Sequence, residues 1–250
     1  MRKYLFIYKP TPGCYVRNKV EAQRSPNVGR RLVVVLLGAA ALIALVAGFI
    51  TGFALKFPPT LTASPARLAQ GNQPAQNAFI HLETVASVDT AITFPRPDDP
   101  HPSWVSYLPT TTFKVPANSV VTMQIDQEDT PSGLRNPFWA NAQGIIGGKF
   151  HMTYFDDKGN PQAGDFSALD DPANAAHTFG IPDLGVFVPL EGLNAAAPPG
   201  SMNVITFSFR TGKPGIYRWQ CFVPCGAGTI YGNGGPMQTL GYMSGFLVVQ

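Results

Sequence analysis

The longest apolar segment of the chain runs from Leu32 to Leu55 and contains no charged residue, Pro, Asn or Gln. As a helix, these 24 residues would be about 36 Å long, enough to cross a hydrocarbon core of about 30 Å. Eight Lys and Arg residues against one acid precede the segment, and positively charged tails tend to stay in the cytoplasm. The pattern predicts a basic cytoplasmic tail (1–31), a single-pass transmembrane helix (32–55) in the cell membrane and an extracytoplasmic remainder. The alternative, a cleaved signal peptide, normally has a shorter apolar core.

After the apolar segment, residues 56–76 are rich in Pro, Ala, Thr, Ser and Gln and predict a linker. Residues 77–250 then alternate short runs of apolar and polar positions with turns, which predicts one all-β domain, an antiparallel β-sandwich. Residues 135–176 are rich in Gly, Asp and Asn and predict a long excursion loop. The predicted strands are Thr112–Val115, Val120–Ile125, Val186–Leu190, Asn203–Arg210, Ile216–Cys221 and Gly245–Val249.

Composition narrows the possible classes of protein. Charged residues make up 13% of the chain, and 25 Gly and 24 Pro exclude long helical bundles, while the 11% of aromatic residues excludes a disordered chain. The net charge of +3 combines the basic tail with a mildly acidic body, so nucleic-acid binding is not indicated. Four His are too few for a multi-copper or di-zinc enzyme, and three Cys cannot form a disulfide scaffold.

Four residues near the predicted strand ends have side chains that bind soft metals. Cys221 and Cys225 lie at and after a strand end, Met243 precedes the last strand, and His177 is expected to approach from an earlier loop. Thiolate, thioether and imidazole donors together favour copper. Because we find no general base beside them, the set indicates electron transfer rather than metal-assisted hydrolysis.

The order of these motifs resembles the copper-binding domain of cytochrome c oxidase subunit II, a cupredoxin. Residues 177–185 (HTFGIPDLG) and 214–226 (PGIYRWQCFVPCG) match two family motifs, and residues 243–249 (MSGFLVV) match the last ligand and strand. The resemblance implies a Greek-key sandwich that holds copper through His177, Cys221, Cys225 and Met243. It also implies a haem–copper oxidase subunit I as membrane partner, electrons from cytochrome c or a small copper protein, and no catalysis by the chain alone.

The sequence departs from the family pattern at the second histidine. The corresponding positions hold Thr229 or Leu240, and the insertion 229–239 contains Met237, which could substitute as a ligand; whether it does stays open. The copper centre is therefore atypical, and the number of ions and the particular oxidase stay open. Cys221 and Cys225 have two other possible roles, as a disulfide or as inert thiols. Two alternative functions remain, a copper-free structural subunit of a quinol oxidase and a Cu(I) carrier.

Overall fold

A computed structural model describes residues 27–49, 60–65, 77–88, 91–95, 99, 101–224, 235–237 and 239–250. The chain forms two units, Met1–Lys56 and Phe57–Gln250. In the first, helix α1 spans Asn27–Phe49, and its stretch Arg31–Gly48 is long and apolar enough to cross a membrane. The helix begins five residues before the predicted start at Leu32, and residues 50–55 of the prediction lie outside the described residues. The cytoplasmic placement of the tail stays a prediction.

The second unit is built of β-strands in the part of the chain that the structure describes. In chain order they are β1 (Thr60–Thr62), β2 (Ser64–Pro65), β3 (Asn77–Val85), β4 (Ser106–Leu108), β5 (Thr112–Val115), β6 (Val120–Gln127), β7 (Phe150–Phe155), β8 (Pro161–Phe166), β9 (Ala175–Ile181), β10 (Val186–Glu191), β11 (Asn203–Arg210), β12 (Gly215–Gln220) and β13 (Ser244–Val249).

The strands form two sheets. Sheet A has the order β1-β5-β13-β12-β9-β10, and sheet B has the order β2-β3-β6-β11-β7-β8 with β4 paired to β3. The predicted class, an all-β sandwich preceded by one apolar helix, is confirmed. The sheets are mixed rather than wholly antiparallel, because β5 runs parallel to β1 and β13, and β3 runs parallel to β6.

The core lies between the inner faces of the two sheets. In β11, Asn203, Ile205, Phe207 and Phe209 are buried and the residues between them are more exposed, as expected for a strand with one face on the core. On sheet A, Trp219 is fully buried, stacks on Phe113 and Phe179 and donates its indole N–H to a backbone carbonyl. This tryptophan is therefore a core residue of the sandwich.

Two segments differ from the sequence-based expectation. The predicted excursion loop contains the hairpin of β7 and β8, which pair from Phe150↔Phe166 to Phe155↔Pro161. Strand β8 is mostly exposed, so it is held by backbone pairing at the sheet edge and lacks apolar alternation. Within the predicted linker, β1 and β2 pair with β5 and β3, so the sheets begin before residue 77.

Candidate metal centre

Three of the four predicted ligands lie at one end of sheet A. Cys221 directly follows β12, and its backbone N–H donates to the carbonyl of Met243, just before β13, over 2.9 Å. His177 lies within β9, so the expectation of a loop histidine is wrong. The reason is that all seven positions of β9 are buried, which leaves no apolar–polar alternation to mark a strand. His177, Cys221 and Met243 are at most 2% exposed.

A hydrogen-bonded chain links the two predicted ligands to an acid. Nε2 of His177 lies 3.0 Å from Oδ2 of Asp129, and the ring also hydrogen-bonds the thiol of Cys221. Asp129 follows the end of β6 in sheet B, so this series of hydrogen bonds crosses from one sheet to the other. An imidazole whose second nitrogen bonds a carboxylate is the usual arrangement of a metal-binding histidine.

The same contacts set the pKa of the histidine. Burial alone lowers the pKa of His177, but its hydrogen bonds to Asp129 and Cys221 and the negative charges of both partners outweigh burial and raise the pKa to about 9. Burial raises the pKa of Asp129, but its hydrogen bond and attraction to His177 outweigh that and lower the pKa overall. The site is therefore built around a cationic ring between an acid and a sulfur.

Further hydrogen bonds fix the sulfur of Cys221. The backbone N–H and the hydroxyl of Thr178 lie 3.4 and 3.8 Å from Sγ, and the carbonyl oxygen of Val223 lies 3.6 Å from Sγ. The Thr178 hydroxyl also accepts the backbone N–H of Phe222 over 2.7 Å. Donors directed at a sulfur stabilise its thiolate form, the form that binds metals.

Two further candidate ligands are Cys225 and Met237. Cys225 lies outside the described residues, so its pairing, as a metal ligand or in a disulfide, stays a prediction. Met237 packs against the core, and the carbonyl of its neighbour Pro236 accepts the N–H of Met243 over 3.1 Å. Among the described residues, no group of three or more His, Cys, Asp and Glu side chains is arranged to hold a metal ion.

Sequence reasoning did not identify Asp129 or Thr178 as parts of the site. Thr178 stands next to His177 in the quoted motif, so the motif itself contained the signal. Asp129 lies 48 residues from His177 in the chain, and an acid at a strand end has no local pattern that reveals such a contact.

Comparison with protein-family models gives no match, and comparison with curated proteins gives none either. Among solved structures, the chain is similar to rusticyanin from Thiobacillus ferrooxidans, with 12% identity, a TM-score of 0.31 and coverage of 76% of this chain and 82% of that one. It is similar to a chain of a haem–copper terminal oxidase dimer, with 14% identity, a TM-score of 0.27 and coverage of 89% and 98%. A third is the metal-binding domain of the Streptococcus pneumoniae D39 Cu(I)-exporting P-type ATPase CopA with Cu(I), with 10% identity, a TM-score of 0.31 and coverage of 78% and 98%.

Proposed function

We propose that the chain is a membrane-anchored, cupredoxin-like electron-transfer protein that resembles cytochrome c oxidase subunit II and binds copper at an atypical site. The ligands are His177, Cys221, Cys225 and Met243. The observation that supports this most strongly is the buried contact between the imidazole of His177 and the sulfur of Cys221. The two side chains are hydrogen-bonded to each other and buried, and a copper ion bound by both would take the place of that hydrogen bond.

The donor chemistry fits copper. Thiolate and thioether are soft ligands, and together with imidazole they favour copper over hard cations such as Mg²⁺ or Ca²⁺. Bound copper would supply a one-electron redox couple. The protein supplies the rest: Asp129 fixes the ring of His177, Thr178 donates to the sulfur of Cys221, and complete burial excludes water. Held this way, the ligands would change little in position between the two oxidation states.

Within this proposal, the partners follow from the resemblance. Electrons arrive from cytochrome c or a small copper protein and leave toward subunit I of a haem–copper oxidase in the same membrane. The chain alone would not reduce oxygen, since its one predicted transmembrane helix contains no His that could ligate a haem. Helix α1 anchors the domain, with residues 1–31 in the cytoplasm and the sandwich outside.

One observation favours a second candidate, the copper-free structural subunit. His177 and Cys221 already have protein hydrogen-bond partners, so the buried network is satisfied without a metal. In this case His177 and Cys221 would stabilise the domain, and the domain would be a structural subunit of an oxidase. Copper loading distinguishes this role from electron transfer.

The test uses the full chain in detergent, with thiols reduced, loaded with copper. Electron transfer predicts one or more bound ions and intense visible absorption from thiolate-to-copper charge transfer. Tight but colourless binding of Cu(I) would instead support a carrier, and absence of binding would support the structural subunit. Cys221→Ser and Cys225→Ser should each abolish the colour, while Cys14→Ser, in the basic tail, should leave it unchanged. Colour that survives Cys221→Ser would contradict the proposed site.

A further inference from the structure

On the outer face of sheet A, the residues that the structure describes leave Ile216 exposed and Phe246 and Val248 half-buried. In the register of the sheet, Ile216 of β12 lies beside Val248 of β13, and Val248 lies beside Lys114 of β5. In the next row, Arg218 lies beside Phe246. Ile216 is 71% exposed, more than any other large apolar side chain described outside α1. We call this surface the basic face, defined by Lys114, Ile216, Arg218, Phe246 and Val248.

The charges around this face have one sign. Strands β1, β5, β12 and β13, with the turn 211–214, contain Lys114, Lys213 and Arg218 and no acidic residue. Residues 32–250 as a whole contain 10 basic and 14 acidic residues. The acids are therefore concentrated elsewhere in the domain; among the elements packed against β12, the short helix Pro182–Leu184 contains Asp183.

Surfaces that bind at the boundary between water and an anionic membrane combine exposed apolar side chains with Lys and Arg residues. The apolar group enters the headgroup layer, and the cations pair with lipid phosphates. An apolar protein partner would need less positive charge, and an acidic protein partner would not need the exposed Ile216.

The connection between the helix and the first strand of the sandwich is short. Only residues 50–59 separate the end of α1 at Phe49 from the start of β1 at Thr60. Ten residues span at most about 36 Å when fully extended. Strand β1, the first strand after this connection, pairs with β5 in the sheet that bears the basic face.

From these observations we propose that the basic face docks on the anionic lipid headgroups of the membrane that α1 crosses. Docking orients the sandwich through Ile216, Lys114, Arg218 and Lys213 and involves neither copper nor a protein partner. The proposal depends on the anchor but not on the metal site, so failure of one leaves the other untouched.

The test measures the reaction of lysines with an amine-specific acylating reagent by mass spectrometry, using the full chain at one copy per lipid nanodisc. In nanodiscs rich in phosphatidylglycerol, Lys114 and Lys213 should react about fivefold more slowly than in phosphatidylcholine nanodiscs, since each cation near an anionic surface contributes a factor of about 5. The internal controls are Lys149, exposed directly before β7, and Lys158, exposed in the turn between β7 and β8, and both should react equally in the two lipids. Salt near 1 M, where the Debye length is about 3 Å, should remove the difference.

A matched pair of variants tests the role of Ile216. Ile216→Glu places a carboxylate in the middle of the basic face and should abolish the protection of Lys114 and Lys213. Thr153→Glu makes the same change at an exposed position of β7 and should leave the protection intact. Unchanged reactivity of Lys149 and Lys158 shows that each variant is folded. Equal reactivity of Lys114 in both lipids, or protection that survives Ile216→Glu, would overturn the proposal and leave this face for a protein partner.

Discussion

Replacing Asp129 with Asn is expected to remove the main support of the charged His177 ring. The ordinary pKa of 6.5 is raised to about 9 in the folded protein, and a difference of this size corresponds to about 3 kcal/mol. A histidine with a raised pKa contributes this stability fully below pH 6.5 and loses it as the pH rises toward 9. In Asp129→Asn, burial acts without the carboxylate charge, so the pKa of His177 should fall and most of this contribution should disappear.

The assay is chemical unfolding of the copper-free, reduced chain at about pH 6 and about pH 9.5. The difference in unfolding free energy between the native chain and Asp129→Asn should be about 2 kcal/mol larger at the lower pH. Subtracting the two proteins cancels the titration of other groups. An NMR titration of the histidine rings measures the fall in the pKa of His177 directly.

The matched control is Asp126→Asn, which removes the carboxylate 2.6 Å from Nε2 of His81. The side chain of His81 is 32% exposed and that of His177 only 3%, so water screens the control pair far more. Its loss should cost about 0.5 kcal/mol. Equal losses of stability in the two variants would refute the account of a buried, charged hydrogen-bond network between Asp129 and His177. So would an Asp129→Asn variant whose stability depends on pH as that of the native protein does.

Three further predictions concern other parts of the domain. Burial and the adjacent Glu83 carboxyl raise the pKa of Glu128 to about 8, so the native chain should lose stability as the pH rises from 4.5 to 8. In thermal unfolding, Glu128→Gln should remove about 1 kcal/mol of that loss, after allowance for solvent screening. A variant whose stability changes with pH as that of the native chain does would count against the contact between Glu128 and Glu83. Thr178→Val leaves the half-buried backbone N–H of Phe222 without its acceptor and should cost about 1 kcal/mol in urea unfolding; a cost near zero would show that the hydroxyl is dispensable. Gly245→Ala should cost about 3 kcal/mol or prevent folding, because the added methyl overlaps the carbonyl of Thr111, while the control Gly215→Ala meets only ordinary contacts and should fold; equal expression and melting of the two would contradict the packing.

The sequence pattern predicted β5, β6, β10, β11, β12 and β13. It missed β3 and β7, although both strands alternate between buried and more exposed positions over part of their length. The bounds of β11 agree residue for residue, since its apolar and polar positions alternate strictly. The pattern missed β9, which is buried on both faces, and β8, which is exposed along most of its length. In both cases one face cannot be told from the other, so alternation is absent.

The candidate site was only partly predictable. The motif spacing predicted that His177, Cys221 and Met243 approach one another, and the structure places His177 against Cys221 and the backbone of Met243 beside Cys221. Whether these residues bind copper stays a prediction. The role of Asp129 depends on how the two sheets face each other, which no local pattern encodes.

X-ray absorption at the copper edge, on the copper-loaded full chain, tests the central claim most directly. The account predicts sulfur and imidazole scatterers around copper. Cys221→Ser should reduce the sulfur signal, and His177→Ala should reduce the imidazole signal, while Cys14→Ser leaves both unchanged. Copper surrounded only by oxygen or nitrogen, or a spectrum unaltered by both site variants, would contradict a copper centre at His177 and Cys221.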